Sequence, residues 1–336
     1  MNSYNPDTRP GSHRLADSVG SAEFFHSDTH DVFEQAEALP KWQQDYLQIS
    51  AGAFTGSLTA LSLGPVQIFR ESMNKVVDQH GQPWENSFAV GVPLSIEGEG
   101  FWCGDRLEKN SIFFLKPNSE LKFKTPEHSD ICVAVIDSRI LKEYAETIEE
   151  LSIDHIIDLN GATPLSEALC NRFRHTFLHV ITALKANPDV LSSHRIRLSL
   201  LDDVMSSFFN GFTQLEKLPR KHPGQFVHRH IVEKAREYII SRKSEPLSVI
   251  EICEALRVSR RTLHYGFIKV LGINPVTFLR YLRLNGARRE LMKADPSSKV
   301  VNEIASRWGF WHPGMFSTYY KELFGELPSH TLRLKK

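Results

Sequence analysis

Apolar residues recur at helical spacing through the C-terminal third of the chain, in two matching blocks. In the first, Ile252, Ala255 and Leu256 share one helix face. Arg257–Val258–Ser259 then breaks the run, with Ser259 placed to cap a following helix. Leu263, Phe267 and Val270 continue at i, i+4, i+7 and give that helix its own apolar face. In the second block, Val301, Ile304, Ala305 and Trp308 form one face, and Gly309 supplies a C-terminal stop. Pro313 suits a first helical position, and Phe316, Tyr320 and Phe324 follow at i, i+4, i+8. Each block predicts two short helices around a tight turn, the helix-turn-helix pattern. A single such pattern also fits any buried helical hairpin. Here there are two, roughly fifty residues apart, joined by a predicted helix over Pro275–Lys293.

Upstream the texture changes. Residues 1–30 are rich in Ser, Asp, Gly, Pro and His without periodicity, and disorder is expected there. Asp31–Leu47 predicts a short helix, a break at Pro40, and a second helix or turn. From Gly56 to Ile136 short apolar runs alternate with turn signals. The expected strands are Ser57–Leu63, Val66–Arg70, Phe88–Pro93, Ile96–Phe101, Ile112–Leu115, Glu120–Lys124 and Ile131–Ile136. Many short strands with frequent turns predict an antiparallel sandwich or small barrel, a shape that can hold one small ligand. Helices are expected over Ser138–Leu151, Leu165–Leu184 and Ser192–Phe212, the last with Leu198, Leu201, Met205, Phe208 and Phe212 as its stripe. That stripe either packs within its own domain or forms the interface of a homodimer.

The expected fold class is therefore α+β. An antiparallel β sandwich or barrel-like effector domain with helices spans 31–213, and a charged, Pro-containing linker spans 214–225. An all-α domain with two helix-turn-helix units spans 226–336, opening with a helix over His228–Lys243.

Charge sharpens this picture. The whole chain is neutral, but Gln225–Lys336 holds 20 Lys/Arg against 10 Asp/Glu, a balance of +10. Met1–Gly224 holds the other 20 Lys/Arg against 30 Asp/Glu, a balance of −10. A basic half that also carries two helix-turn-helix patterns points to nucleic acid. Arg260, Arg261, His264, Tyr265 and Lys269 fall on the polar side of the first unit's second helix, and such side chains reach phosphates and base edges in a major groove. Trp311, beside the second turn, is either an exposed contact or packs under the turn, and packing is the favoured expectation.

Other chemistry is thinly represented. Cys103, Cys132, Cys170 and Cys253 are widely spaced, which argues against a zinc ribbon or disulfide framework and fits a reducing cytoplasm. No run of about 18 apolar residues exists, so no membrane partner is expected. His175 and His179 share a helix face without a third ligand at a recognisable spacing, and His80 and His128 form no HxH arrangement, so no metal is expected. Gly98–Gly104 reads as a hairpin turn, and no GxSxG, HExxH or P-loop occurs. No catalytic residue is assigned, and a metabolic enzyme or carrier with non-specific nucleic-acid binding is the rival from another class.

The basic segment resembles the AraC/XylS family of bacterial transcription regulators. The likeness is carried by Ser259, Leu263, Phe267, Lys269, Gly272 and Pro275, then by Arg283, Ala287 and Leu291. It continues through Ile304, Ala305, Gly309–Phe310, Phe316, Lys321, Phe324–Gly325 and Pro328. The resemblance implies an activator that binds double-stranded promoter DNA, engages RNA polymerase and answers a small-molecule effector. It puts base contacts on Arg261, His264 and Tyr265, with Tyr where many members have Arg. In the second unit the corresponding places hold Pro313, Gly314 and Thr318, which are poor base readers. Phosphate contacts are expected there instead, from the helix start near His312–Gly314 and from Lys321.

A closer resemblance is to the ethanolamine-utilisation branch of that family. It rests on SRRTL at Ser259–Leu263, RLNGARREL at Arg283–Leu291 and WGFWHPGMF at Trp308–Phe316, with Trp42–Gln43, Gly52, Phe54, Gly56 and Phe69–Arg70–Glu71 upstream. It implies ethanolamine with adenosylcobalamin as effector ligands. Another small amine or a different metabolite is the alternative. A cobalamin is too large for a small barrel interior and is expected at a domain surface.

Overall fold

In a computed structural model of the chain, the described residues are 22–147, 149, 152–215, 226–242, 247–295 and 300–333. They fall into two compact units. The first draws on Met1–Asp45, Thr55–Asn74 and Gln79–Pro219; the second on Tyr46–Phe54, Lys75–Asp78 and Arg220–Lys336. Two short segments from the strand-rich half thus belong to the helical unit. Most of the expected linker, 216–225, lies outside the described residues.

The elements of the sheet-bearing half run β1 (Ala22–Thr29), α1 (Val32–Ala38), β2 (Gln43–Gln48), β3 (Gly56–Leu63), β4 (Val66–Met73) and β5 (Val77–Gln82). They continue with β6 (Ser87–Glu97), β7 (Gly100–Trp102), β8 (Asp105–Leu107), β9 (Ser111–Leu115), β10 (Leu121–Lys124) and β11 (His128–Asp137). Then follow α2 (Ser138–Thr147), α3 (Asp154–Ile157), β12 (Gly161–Pro164), α4 (Glu167–Ala186) and α5 (His194–Leu215). A seven-stranded sheet has the order β1-β3-β4-β11-β6-β9-β12 and a five-stranded sheet the order β2-β5-β10-β7-β8. The fold is α+β, with an antiparallel sheet domain followed by an all-α domain.

Several expectations are corrected. Residues 22–29, expected to be disordered, form β1 and pair along their whole length with β3, from Ala22↔Leu63 to Thr29↔Gly56. AEFFHSDT carries too little alternation to announce a strand; the pairing comes from its partner. Gln43–Gln48, expected as helix or turn, is strand β2. The expected pair Phe88–Pro93 and Ile96–Phe101 is largely one strand, β6, that runs through Pro93. Pro93 sits opposite Ile131, where the register shifts between Asp130 and Ile131, and a bulge is where a residue without an N–H is tolerated.

The long helices α4 and α5 lay their apolar stripes on the large sheet. Phe173, Phe177, Leu201, Met205 and Phe208 join Phe88, Phe114 and Ile136 in one buried cluster. The Phe88 and Phe208 rings meet edge-on at 6.0 Å. Leu201, Met205 and Phe208 of the expected stripe are therefore covered by the chain's own sheet, while Phe212 lies outside the residues whose side chains are described. A second cluster fills the other face of the sheet. Trp102 packs 4.2 Å from Phe113 and 5.1 Å from Phe123, and its Nε1 donates to the Phe114 carbonyl at 2.9 Å. Those aromatic side chains occupy space that the barrel reading left for a ligand. A cavity of about 450 Å³ lies instead beside Lys41, Trp42, Gln82, Trp84, Glu85 and Asn118.

Candidate nucleic-acid interface

The helical unit contains α6 (Phe226–Ser241), α7 (Val249–Leu256), α8 (Arg260–Leu271), α9 (Pro275–Lys293), α10 (Val300–Arg307), α11 (Pro313–Phe324) and α12 (Pro328–Thr331). Local chemistry sets each boundary. Ser248 and Glu251 form a reciprocal capping box at the start of α7. Glu251 accepts from the Ser248 amide at 2.7 Å, and bonds from Ser248 hold its carboxyl below the usual range. Arg257 ends α7 in the left-handed region, φ 53. Ser259 caps α8 by accepting from the Thr262 amide at 3.0 Å. Asn274 caps α9, and Pro275 occupies its first turn.

The two helix-turn-helix units, α7–α8 and α10–α11, have separate cores joined by α9. Ile252, Leu263, Phe267 and Leu271 pack with Phe278 and Leu279. Ile304, Phe316, Tyr320 and Phe324 pack with Leu284, Ala287 and Leu291. One 19-residue helix thus presents successive parts of its length to both units.

The two second helices superimpose in sequence by an offset of 53: Ser259/His312 at the caps, Leu263/Phe316, Phe267/Tyr320 and Leu271/Phe324 inward, and Gly272/Gly325 at left-handed C-caps of φ 77 and 76. Outward, Arg261 corresponds to Gly314, Thr262 to Met315 and Tyr265 to Thr318.

On α8 the structure brings the expected residues together. Arg260, Arg261, His264, Tyr265 and Lys269 are all exposed on one helix. Tyr265 is 54% exposed; its ring meets that of His228 edge-on at 4.9 Å, and the Lys269 ammonium stands 5.9 Å over it. Those neighbours fix the direction of the phenol. Gly266 faces α6, with the His228 carbonyl 3.5 Å from where a Cβ would sit, an ordinary contact distance.

On α11 His312, Pro313, Gly314, Thr318 and Lys321 are likewise exposed. The Thr318 hydroxyl donates back to the Gly314 carbonyl at 3.0 Å. Trp311, expected to pack under the turn, is 75% exposed. The turn is one position longer than in the first unit: from the left-handed residue to the first helical residue it runs 257 to 260, against 309 to 313. The extra residue carries Trp311 outward.

Charge is organised around these helices. From Ala255 to Arg289 there is no Asp or Glu, and the stretch holds eight basic residues: Arg257, Arg260, Arg261, Lys269, Arg280, Arg283, Arg288 and Arg289. From Ile304 to Lys321 there is again no acidic residue. Stretches without acidic residues that carry exposed Arg and Lys suit a polyanion. Not all of these cations face outward. Arg288 is buried, donates to Glu326 at 2.6 Å and to Thr331 at 3.2 Å, and lies 4.7 Å over the Phe324 ring. It also donates to the Tyr320 hydroxyl at 3.3 Å. Burial pushes the Tyr320 phenol up to about 12, so it stays a neutral partner.

One contribution had no signal in the sequence. Segment Tyr46–Phe54 ties into both helix-turn-helix units. Leu47 and Ile49 join the first unit's core. The buried Gln48 amide nitrogen donates to the Leu323 carbonyl at 2.7 Å, and the Gly52 amide donates to the same carbonyl at 3.0 Å. Asn285 of α9 accepts from the Gln48 amide and donates to its carbonyl, each at 3.1 Å. Asp78 accepts from Arg236 of α6 at 2.9 Å, both side chains being nearly buried. Among the described residues no group of three or more His, Cys, Asp or Glu is placed to hold a metal ion, and no helix is long and apolar enough to cross a membrane.

Comparison with known proteins bears on the helical unit most directly. Residues 252–334 match the model of a family described as "Helix-turn-helix domain". The chain is 26% identical over 293 residues to a "Probable thc operon regulatory protein" of Rhodococcus erythropolis, covering 83% of this chain and 86% of that one. It is 33% identical over 104 residues to "XylDLEGF operon transcriptional activator 3" of Pseudomonas putida, covering 31% of each chain. A solved structure of a transcriptional regulator with an AraC-type DNA-binding domain, from Chromobacterium violaceum, is 30% identical over 31% of this chain and 90% of that one, with a TM-score of 0.29.

Proposed function

We propose that this chain, a DNA-binding transcriptional regulator of the AraC/XylS type, activates a catabolic operon by setting α8 and α11 into successive major grooves of one promoter. The observation that carries this reading is the pair of solvent-facing second helices joined through α9, α8 in an acid-free stretch and α11 with Glu322 near its C-terminal end as its one acidic residue. Arg261, His264 and Tyr265 supply the direct base readout. Arg260, Lys269, His312 and Lys321 contact phosphates. RNA polymerase is the partner of such an activator.

The sheet unit binds the effector. We propose ethanolamine with adenosylcobalamin as that effector, a reading supported by the resemblance of SRRTL at Ser259–Leu263, RLNGARREL at Arg283–Leu291 and WGFWHPGMF at Trp308–Phe316. The cavity beside Trp84 is the place for a small effector: Glu85 offers a carboxylate there, and an amine would displace the Lys41 ammonium that stands 5.5 Å over the ring. A cobalamin would lie at a surface, since aromatic side chains fill the space behind the sheet. A different effector is the second reading. It is favoured by the Rhodococcus relative, which covers most of this chain and is named for another operon.

The test is capture of sheared genomic DNA by the purified chain, with sequencing of the retained fragments, with and without ethanolamine plus adenosylcobalamin. Enrichment of one or two promoters is expected, with retention changed by the ligands. Enrichment without any ligand effect would move the effector to the second reading. Uniform retention of all fragments would overturn specific promoter recognition.

A further inference from the structure

The exposed start of the second recognition helix is poor in hydrogen-bonding side chains and rich in apolar surface. Trp311 is 75% exposed and Met315 48% exposed, four positions apart across the turn into α11. Between them stand His312, Pro313 and Gly314, all exposed. Pro313 offers no donor, and Gly314 has no side chain and open space where a Cβ would be. The Thr318 hydroxyl, one turn on, donates to the Gly314 carbonyl. In the first unit the places of Gly314 and Thr318 hold Arg261 and Tyr265.

An exposed tryptophan and methionine four positions apart at the start of one helix mark a contact surface. α11 is the counterpart of α8 in the second unit, and the stretch between Glu303 and Glu322 carries no acidic residue, so the occupant argued for is duplex DNA rather than a protein face. The feature of duplex DNA that an apolar side chain recognises in the major groove is the thymine C5-methyl group. A missing side chain at Gly314 lets the helix backbone approach the base edges more closely than a side chain there would.

We propose that the second unit reads thymine by apolar contact. Trp311 and Met315 pack on thymine methyls, while Gly314 admits the close approach. The two units thus read by different chemistry: hydrogen bonds from α8, methyl packing from the start of α11. This rests on the promoter-binding reading above.

The test uses the intact chain and a duplex taken from a retained promoter. Thymines are replaced one at a time by deoxyuridine, which removes the methyl and keeps every base-pairing group. At one or two thymines under the second unit, affinity should fall about fourfold for each methyl lost, as burial of one carbon predicts. Trp311→Ala or Met315→Ala should weaken binding to the thymine duplex and abolish the deoxyuridine effect there, leaving effects under the first unit intact. Trp311→Phe should restore most of it. Both side chains are solvent-exposed, so folding is not at stake. If no thymine matters under the second unit, or if the effect persists in both alanine variants, methyl reading is overturned while promoter binding stands. If no promoter is retained at all, the failure is that of the function.

Discussion

Substituting Gly286 by alanine separates helix propensity from packing. Gly286 lies in the middle of α9, where a glycine costs about 1 kcal/mol against alanine, so propensity alone predicts stabilisation. The geometry predicts the reverse. A Cβ at Gly286 would lie 2.5 Å or less from three atoms on the far edge of the Trp308 ring. That ring is not free to swing. Its Nε1 donates to Glu290 at 2.9 Å, and it packs against the second unit's core. Overpacking of this kind costs about 1–3 kcal/mol. A lost bond to a carboxylate adds about 1.5–3 kcal/mol. Against a gain of about 1 kcal/mol, the net expectation is a loss of about 3 kcal/mol. Urea unfolding of the intact chain, followed by helical circular dichroism, reads it as a lower midpoint for the helical unit. Gly266→Ala serves as the control: its Cβ would meet neighbours at 3.5 Å, so it should gain stability. Adding Trp308→Leu to Gly286→Ala should recover part of the loss, a coupling that a double-mutant cycle measures. A Gly286→Ala protein as stable as its parent would refute the packing of Trp308 onto α9.

Removing Glu326 takes its carboxylate away from the buried Arg288; Glu326→Ala should cost about 3 kcal/mol in the same unfolding assay, and an unchanged midpoint would contradict burial of the pair. Ser248→Ala should cost about 1 kcal/mol through the lost cap of α7. Because the Glu251 carboxyl is depressed in the folded chain, its contribution is present above the unfolded carboxylate range and lost as pH falls through the folded value. The Ser248→Ala penalty should therefore shrink in acid, and one that grows there would reverse the assignment. Arg261→Ala should weaken promoter binding by about 1–3 kcal/mol and relax preference at one base pair; a variant with full preference would remove Arg261 from base readout.

Much of the helical unit was legible because its signals are local. Ser259, Pro275, Gly309 and Gly325 mark helix ends by backbone chemistry that needs no tertiary context, and Pro275–Lys293 was bounded to the residue. Strands β1, β2 and β5 were not legible. Their sequences are polar or short of alternation, and their pairing is supplied by distant partners such as Leu61 opposite Phe24. The exposed polar face of α8 followed from helical spacing alone. Exposure of Trp311 did not, since it depends on a turn one residue longer than its counterpart, and a tryptophan beside a turn is as easily packed as displayed. The Gln48 clamp had no sequence signal, because a glutamine 237 positions from Asn285 gives no hint of its partner. The +10 balance of the C-terminal segment was visible from the start; that it concentrates into two acid-free stretches around α8 and α11 matters once the helices are placed.

The central claim is that one protomer reads one promoter with both second helices. Its most direct test is a hydroxyl-radical and base-methylation footprint of the intact chain on a retained promoter fragment. Two protected major-groove patches on one face of the duplex are expected, about 10 bp apart, with Arg261→Ala erasing one and leaving the other. A single patch, or two that both survive Arg261→Ala unchanged, would contradict paired recognition.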